Sequence, residues 1–112
     1  MIRSLLRSSI AEATVTAGAD GAALRLDAFI IRAAELLPLE TVEVVNLASG
    51  MRFRTYVEAG AEGSGEVAVA GARVGDRITV LSFALLHEGQ TLAHRPKRVT
   101  LDAANRVTAI SE

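Results

Sequence analysis

Short β-branched runs recur along this chain, each closed by a turn rich in glycine, asparagine or aspartate. That punctuation limits the fold more than any other feature. Thr41 to Leu47 and Met51 to Glu58 flank Ala48-Ser49-Gly50 and predict a hairpin. Ile10 to Thr16 predicts a strand ending in Thr14-Val15-Thr16, followed by a small flexible loop, Ala17-Gly18-Ala19-Asp20-Gly21. Glu66 to Ala70 is a short strand before a turn over Gly71 to Asp76, and Lys97 to Leu101 and Arg106 to Ile110 form two late strands around Asp102-Ala103-Ala104-Asn105. Arg77 to Leu85 is the most apolar run and the natural centre of a barrel. One segment reads as a helix: Asp27 is placed to N-cap Ala28 to Leu37, and Pro38 stops it. Many short strands with one helix predict a mainly β fold, a small barrel.

A chain of 112 residues fits one domain, residues 1–112, with no repeat or linker inside it. Half of its residues are hydrophobic, a high share for so small a unit, which points to apolar surface covered by other subunits. The net charge of -1 gives no reason to expect nucleic acid or an anionic membrane as partner. With no cysteine there is no disulfide framework and no thiolate chemistry. The apolar run from Met1 to Ile10 is too short for a signal peptide, and no run approaches the ~20 residues of a membrane helix, so a soluble cytoplasmic protein is expected.

The familiar catalytic signatures are absent: no phosphate-binding loop, no dinucleotide glycine pattern, no metalloprotease helix. His87 and His94, with Glu88 nearby, have no specific metal-ligand spacing, and solvated loop histidines are the simpler reading; no metal is expected. Ser82 and His87 lack the surroundings of a nucleophile and its base. Glu58 and Glu62 are candidate paired carboxylates or simply a solvated strand edge.

Longer motifs carry a resemblance. Met1-Ile2-Arg3-Ser4-Leu5-Leu6, Val15-Thr16, the stretch Asn46-Leu47-Ala48-Ser49-Gly50-Met51-Arg52-Phe53-Arg54-Thr55-Tyr56, Val74-Gly75-Asp76 and Arg95-Pro96 are similar to the pyruvoyl-dependent aspartate 1-decarboxylases. The resemblance runs from Met1 to about Leu101. It implies a six-stranded double-psi β-barrel with one or two short helices, a homotetramer, and active sites between subunits. Members of that family make their own cofactor by cutting a Gly-Ser bond and converting the serine to a pyruvoyl group.

Here the pair aligns with Ala22 and Ala23. From Ala17 to Ile31 there is no serine, threonine or cysteine, so no side chain in the segment can attack a preceding peptide bond. Gly63-Ser64 aligns with a different loop. Other positions of the family's site depart as well. Ser9 stands where a basic residue holds the substrate carboxylate, Ala11 where a histidine stands, Val45 where a pocket tryptophan stands, and Ala70 where an asparagine orders the site. The loop after Gly71 is shorter by about five residues. Three polar positions match: Arg52, implied to bind a carboxylate, Thr55, implied to assist processing, and Tyr56, implied to protonate an intermediate. Alternation puts Arg52, Arg54 and Tyr56 on one strand face, with Arg52 and Tyr56 within reach of one bound molecule.

The resemblance with its departures implies a protein with no cofactor. One reading is a repurposed biosynthetic enzyme, a lyase, isomerase or cyclase. It would bind a small carbonyl or carboxylate compound with Arg52, Thr55, Ser9, Val45, Ala23 and Ala70, and use Tyr56 and Arg52 for acid or hydrogen-bond catalysis of a cyclisation, isomerisation, dehydration or pericyclic step. The other is a non-catalytic paralogue that binds a small carboxylate or an active decarboxylase. Arg52 as a buried ion pair and Tyr56 as a core aromatic would be the structural alternative to either. A large, apolar, open cavity containing Tyr56 would favour the enzyme.

Overall fold

A computed structural model describes residues 1–19 and 21–112. The Asp20 position of the expected loop therefore lies outside the described residues. The chain is mainly strand, with two short helices: β1 (Ile2–Thr14), β2 (Leu24–Asp27), α1 (Ala28–Ala33), β3 (Thr41–Asn46), β4 (Arg52–Gly60), β5 (Val67–Ala68), β6 (Arg77–His87), α2 (Glu88–Thr91), β7 (Lys97–Leu101) and β8 (Val107–Ser111). The strands run in the order β5-β2-β4-β3-β6-β1-β7-β8, a curled sheet consistent with the double-psi barrel, with eight strands among the described residues rather than six. β6 lies between β3 and β1 in the middle of that order, where its apolar run belongs.

The β3–β4 hairpin forms with Val44 opposite Phe53, closed by Gly50 in a left-handed conformation that costs a glycine nothing. Asn46 holds the turn: its Oδ1 accepts from the Ala48 and Ser49 N–H groups, and its Nδ2 donates to Asp76. Two of the strand pairings are parallel, β2 beside β4 and β1 beside β7, and these long-range pairings curl the sheet around its core. Ile10, Val15, Leu24, Leu26, Ile30, Val44, Val57, Val80 and Val99 are among the fully buried side chains of that core.

Three local expectations change. β1 begins at Ile2 rather than Ile10, because its first half pairs with the end of β6, Ile2 opposite His87 and Ser4 opposite Leu85. α1 stops at Ala33, well before Pro38. The Leu36 N–H donates to the Ile31 carbonyl and the Glu35 N–H to the Arg32 carbonyl, with Glu35 at φ +56, the left-handed cap that ends a helix. Burying Leu36 favours this early turn. Pro38 instead takes the second place of a turn in which the Glu40 N–H reaches the Leu37 carbonyl and Leu39 sits at φ +72. Finally, the expected connection from His87 to Pro96 contains α2.

Asp27 caps α1 as its sequence position predicts, and does more. Its buried carboxylate accepts from the Phe29 N–H at 2.8 Å and from the Gly63 and Gly65 N–H groups at 2.9 Å each. One side chain thus ties the end of β2 to the helix start and to the loop before β5.

Candidate functional site

Ala22 and Ala23 enter β2 directly. Ala23 and Leu24 are buried, while Ala22 stays exposed, and β2 then pairs with β4, Leu24 opposite Val57. The Ala22 carbonyl oxygen accepts a hydrogen bond from the Thr55 hydroxyl on β4. A hydroxyl donor on a peptide carbonyl is what polarises that carbonyl for attack, yet the next residue carries only a methyl group.

Ala22 also forms part of the walls of two hollows. One, about 300 Å³, is lined by Ala23, Arg25, Tyr56, Glu58 and Glu66 together with the Ala17–Ala19 backbone. Tyr56 is 38% exposed there, and among the described residues its hydroxyl has no hydrogen-bond partner. Arg25 lies opposite Glu58 in the β2–β4 register and donates from Nε to Glu66, 3.3 Å from Oε1. The absence of a side chain at Gly60 lets the Glu66 carboxylate close over β4. The other hollow, about 350 Å³, is mainly apolar and is lined by Val44, Phe53, Val69, Ala70 and Ile78 and by part of Arg54, which also lines a separate groove with Glu43, Phe83 and Leu85 on the opposite face of the sheet.

The residues singled out in the sequence therefore fall into separate groups. Ala22, Ala23, Thr55 and Tyr56 come together around the start of β2. Ala70 joins Ala22 in the apolar hollow, not in the one with Tyr56. Arg52 lies outside both hollows: its Nε and Nη2 donate to Glu43 Oε1 on β3 at 2.9 and 2.5 Å. This ion pair is on the surface, not buried, with the Arg52 side chain 61% exposed. Val45 sits opposite Arg52 in the ladder. Ser9, half-buried on β1, pairs with Leu81, which pairs with Glu43, which pairs with Arg54, so it shares a row with Arg54 across four strands but lines neither hollow. The cavity that holds Tyr56 is open and of mixed polarity, and the mainly apolar one holds no tyrosine.

Glu58 and Glu62 do not converge: Glu62 meets Arg32 instead. Ser82 is buried in a network in which its hydroxyl donates to Glu40 Oε2 at 2.7 Å and accepts from Arg7 Nε, while Arg7 Nη2 reaches Glu40 Oε2 at 2.5 Å. Burial pushes the Glu40 carboxyl up, but the Ser82 hydroxyl, the Leu37 N–H and Arg7 together hold it below the usual value. His87 is at the far end of β6, its N–H bonded to Gln90, and His94 Nε2 lies 2.6 Å from the Leu6 carbonyl. Ser64 Oγ donates to the Ala61 carbonyl within its own turn. Among the described residues no three His, Asp or Glu side chains gather as a metal cage.

Sequence reasoning did not single out Arg25 or Glu66. Arg25 and Glu66 approach Tyr56 only through the β2–β4 and β2–β5 pairings, which no local pattern encodes. Arg54 was visible as a member of the Tyr56 face, but not as a wall of the groove it shares with Glu43, Phe83 and Leu85.

Comparison with known proteins follows the same lines. Residues 1–108 match the family described as aspartate decarboxylase. The aspartate 1-decarboxylase of Dehalococcoides mccartyi (strain CBDB1) is 40% identical over 114 residues, covering 95% of this chain and 91% of its own. That of Pelotomaculum thermopropionicum is 34% identical over 119 residues, covering 100% of this chain and 90% of its own. That of Ralstonia pickettii is 34% identical, with 100% of this chain and 99% of its own covered.

Proposed function

The chain belongs to the aspartate decarboxylase family, and from that membership we propose that it works uncut, as a small-molecule enzyme without a pyruvoyl group. One observation carries the reading. The Thr55 hydroxyl rests on the Ala22 carbonyl, while no hydroxyl or thiol exists between Ala17 and Ile31 to attack it. The residues present do not fit the family's cofactor. A methyl side chain supplies neither the nucleophile for an acyl shift nor the oxygen lost in forming the keto group, so no step of this protein's chemistry is routed through one.

In this reading the intact segment through Ala22 and Ala23 is a permanent wall of the Tyr56 hollow. The free Tyr56 hydroxyl donates a hydrogen bond, or a proton, to oxygen that gains charge on a bound carbonyl or carboxylate compound. Arg25, held by Glu66, supplies fixed positive charge beside it. Such a site orients and polarises, which suits cyclisation, isomerisation, dehydration or a pericyclic step. The homotetramer is part of the proposal. The face bearing Arg54 and Tyr56 continues across β3 and β6 to Phe83 and Leu85, and Leu85 is 76% exposed, apolar surface of the kind that a second copy covers.

A second reading, a binding paralogue without turnover, is favoured by the state of the arginines. Arg52 is engaged with Glu43 and Arg25 with Glu66, so a substrate must compete for both.

The test is intact mass together with product analysis. The purified chain, incubated warm with L-aspartate, is expected to remain one species of 11.8 kDa and to yield no β-alanine by NMR. Fragments of 22 and 90 residues, the two parts of 112, or accumulation of β-alanine, would overturn the proposal. If a substrate is found, Tyr56→Phe separates the two readings: turnover falls roughly 10²- to 10⁴-fold for a proton donor.

A further inference from the structure

We infer that the Tyr56 hollow takes a ligand bearing a protonated amine, with Glu58 as the residue that holds it and the Tyr56 hydroxyl on a carbonyl oxygen of the same molecule. This deepens the proposed function and rests on its use of that hollow. Of the compounds named there, it selects a carbonyl compound that carries an ammonium group over one that carries a carboxylate.

The charges of the walls decide the sign. Among the described residues, the ionised side chains lining the hollow are Arg25, Glu58 and Glu66, so one cation stands between two acids. Arg25 is engaged by Glu66, with Nε 3.3 Å from Oε1 and 3.2 Å from Oε2. Glu58 stands opposite Arg25 in the β2–β4 register, and both point outward because their neighbours Leu24 and Val57 are buried. Glu58 itself makes no ion pair and no side-chain hydrogen bond among the described residues. However Arg25 shares itself, it neutralises one acid and leaves the other in excess. The next cation along β4, Arg54, does not line this hollow and lies four residues from Glu58, about 13 Å along the strand.

The rest of the wall adds little that is polar. The Ala17–Ala19 and Gly21–Ala23 segments and Ala68 present small side chains. The Ala22 carbonyl is taken by Thr55, and the Ala17 carbonyl by the Val69 N–H. The side-chain groups left unengaged are the Tyr56 hydroxyl and the Glu58 carboxylate. They stand two residues apart on one face of β4, about 7 Å along the strand. The complement of that pair is a short molecule with a cation at one end and an oxygen acceptor at the other. A carboxylate in the same place would meet the excess acid and would have to displace Glu66 from Arg25.

The probes are 4-aminobutanamide, its acid 4-aminobutanoate and its uncharged counterpart butanamide, each titrated by NMR into the full-length, isotopically labelled chain. 4-Aminobutanamide is expected to move the signals of Arg25, Tyr56 and Glu58, and to bind roughly threefold to fivefold tighter than either control, the scale of a partly exposed ion pair. That lead is expected to shrink as salt is raised. Glu58→Gln is expected to bring 4-aminobutanamide down to the butanamide level. Arg25→Gln, which removes the cation, is expected to widen the lead over 4-aminobutanoate, and Tyr56→Phe to weaken all three probes while keeping their order. Equal affinity for 4-aminobutanamide and butanamide, tighter binding of 4-aminobutanoate, or an unchanged lead in Glu58→Gln would overturn the inference. So would shifts confined to the groove of Phe83 and Leu85, or binding that appears only when the assembly is dissociated, which would mean that a second copy fills the hollow. A chain that stays uncut but lacks this order of affinities overturns the inference alone, whereas cleavage between Ala22 and Ala23 overturns the reading beneath it.

Discussion

Asp27 is the side chain on which the architecture around Ala22 leans most heavily, and its removal has a cost that can be worked out. Three backbone N–H groups, from Phe29, Gly63 and Gly65, end on this one buried carboxylate. Burial pushes its pKa up, but the Gly65, Phe29 and Gly63 N–H groups and the Arg32 charge outweigh that and hold it below the usual 3.8. In Asp27→Ala all three donors lose their acceptor and α1 loses its cap. A cap alone is worth about 1 kcal/mol, and a hydrogen bond to a charged group about 1.5–3 kcal/mol. The bonds share one carboxylate and the Gly63–Gly65 loop can reach water, so the sum is not additive; a loss of about 3–4 kcal/mol is expected. Asp27→Asn is the sharper test. Its amide oxygen can keep Phe29 and Gly63, but its NH₂ then faces the Gly65 N–H, donor against donor, for about 1.5–3 kcal/mol.

Urea unfolding followed by circular dichroism measures both. The pH dependence supplies an internal check, and its sign is determined. A carboxyl whose folded pKa is depressed stabilises fully above its unfolded value and loses that stabilisation as pH falls through the folded one. The gap between wild type and Asp27→Asn is therefore constant from neutral pH down to about 5 and narrows below about 4. An Asn variant within about 0.5 kcal/mol of wild type at pH 7, or a gap that does not change in acid, would refute the assignment of Asp27 as a charged hub.

Three further outcomes are expected. Glu40→Gln breaks the Arg7–Glu40–Ser82 network and leaves Arg7 partly buried without its partner, costing about 1.5–3 kcal/mol at pH 7; since the Glu40 pKa is also lowered on folding, that difference shrinks as pH drops through the carboxylate range, as parallel unfolding curves will show. Leu39→Gly relieves a bulky side chain at φ +72 in an exposed turn and raises stability by about 0.5–1 kcal/mol, read as a higher urea midpoint with unchanged slope. Ala22→Gly combined with Ala23→Ser places a hydroxyl next to a carbonyl already held by Thr55, and intact mass is expected to show partial cleavage into 22 and 90 residues that Thr55→Val suppresses; a chain that stays whole would mean that more than the serine separates this protein from self-processing.

How much of this could be read from the chain depends on the range of the interaction. The hairpin and the Asp27 cap rest on neighbours a few residues apart, and turn and capping chemistry predicts them, while the central place of β6 shows in its apolar composition. The early end of α1 was masked because a glutamate, not a glycine, takes the left-handed position at Glu35, so Pro38 looked like the stronger stop signal. The site is harder still, because every strand in it borrows from a distant one. Alternation correctly places Arg52, Arg54 and Tyr56 on one face of β4. It is silent on which residue stands opposite, and that residue decides the chemistry. Arg52 and Tyr56 are four residues apart, about 13 Å along a strand. Arg52 meets Glu43 on β3, whereas Tyr56 looks toward a hollow walled by Arg25, Glu66 and the uncut Ala22–Ala23 segment. Arg54, between them, faces Glu43 in the ladder but makes no ion pair among the described residues. A single carboxylate on the neighbouring strand thus divides one row of polar side chains into a spent arginine and a free one. Glu43→Gln is the substitution that would test this division directly: it releases Arg52 from its ion pair on an exposed surface, costs no more than about 1 kcal/mol of stability, and leaves two cations on a face that otherwise offers one.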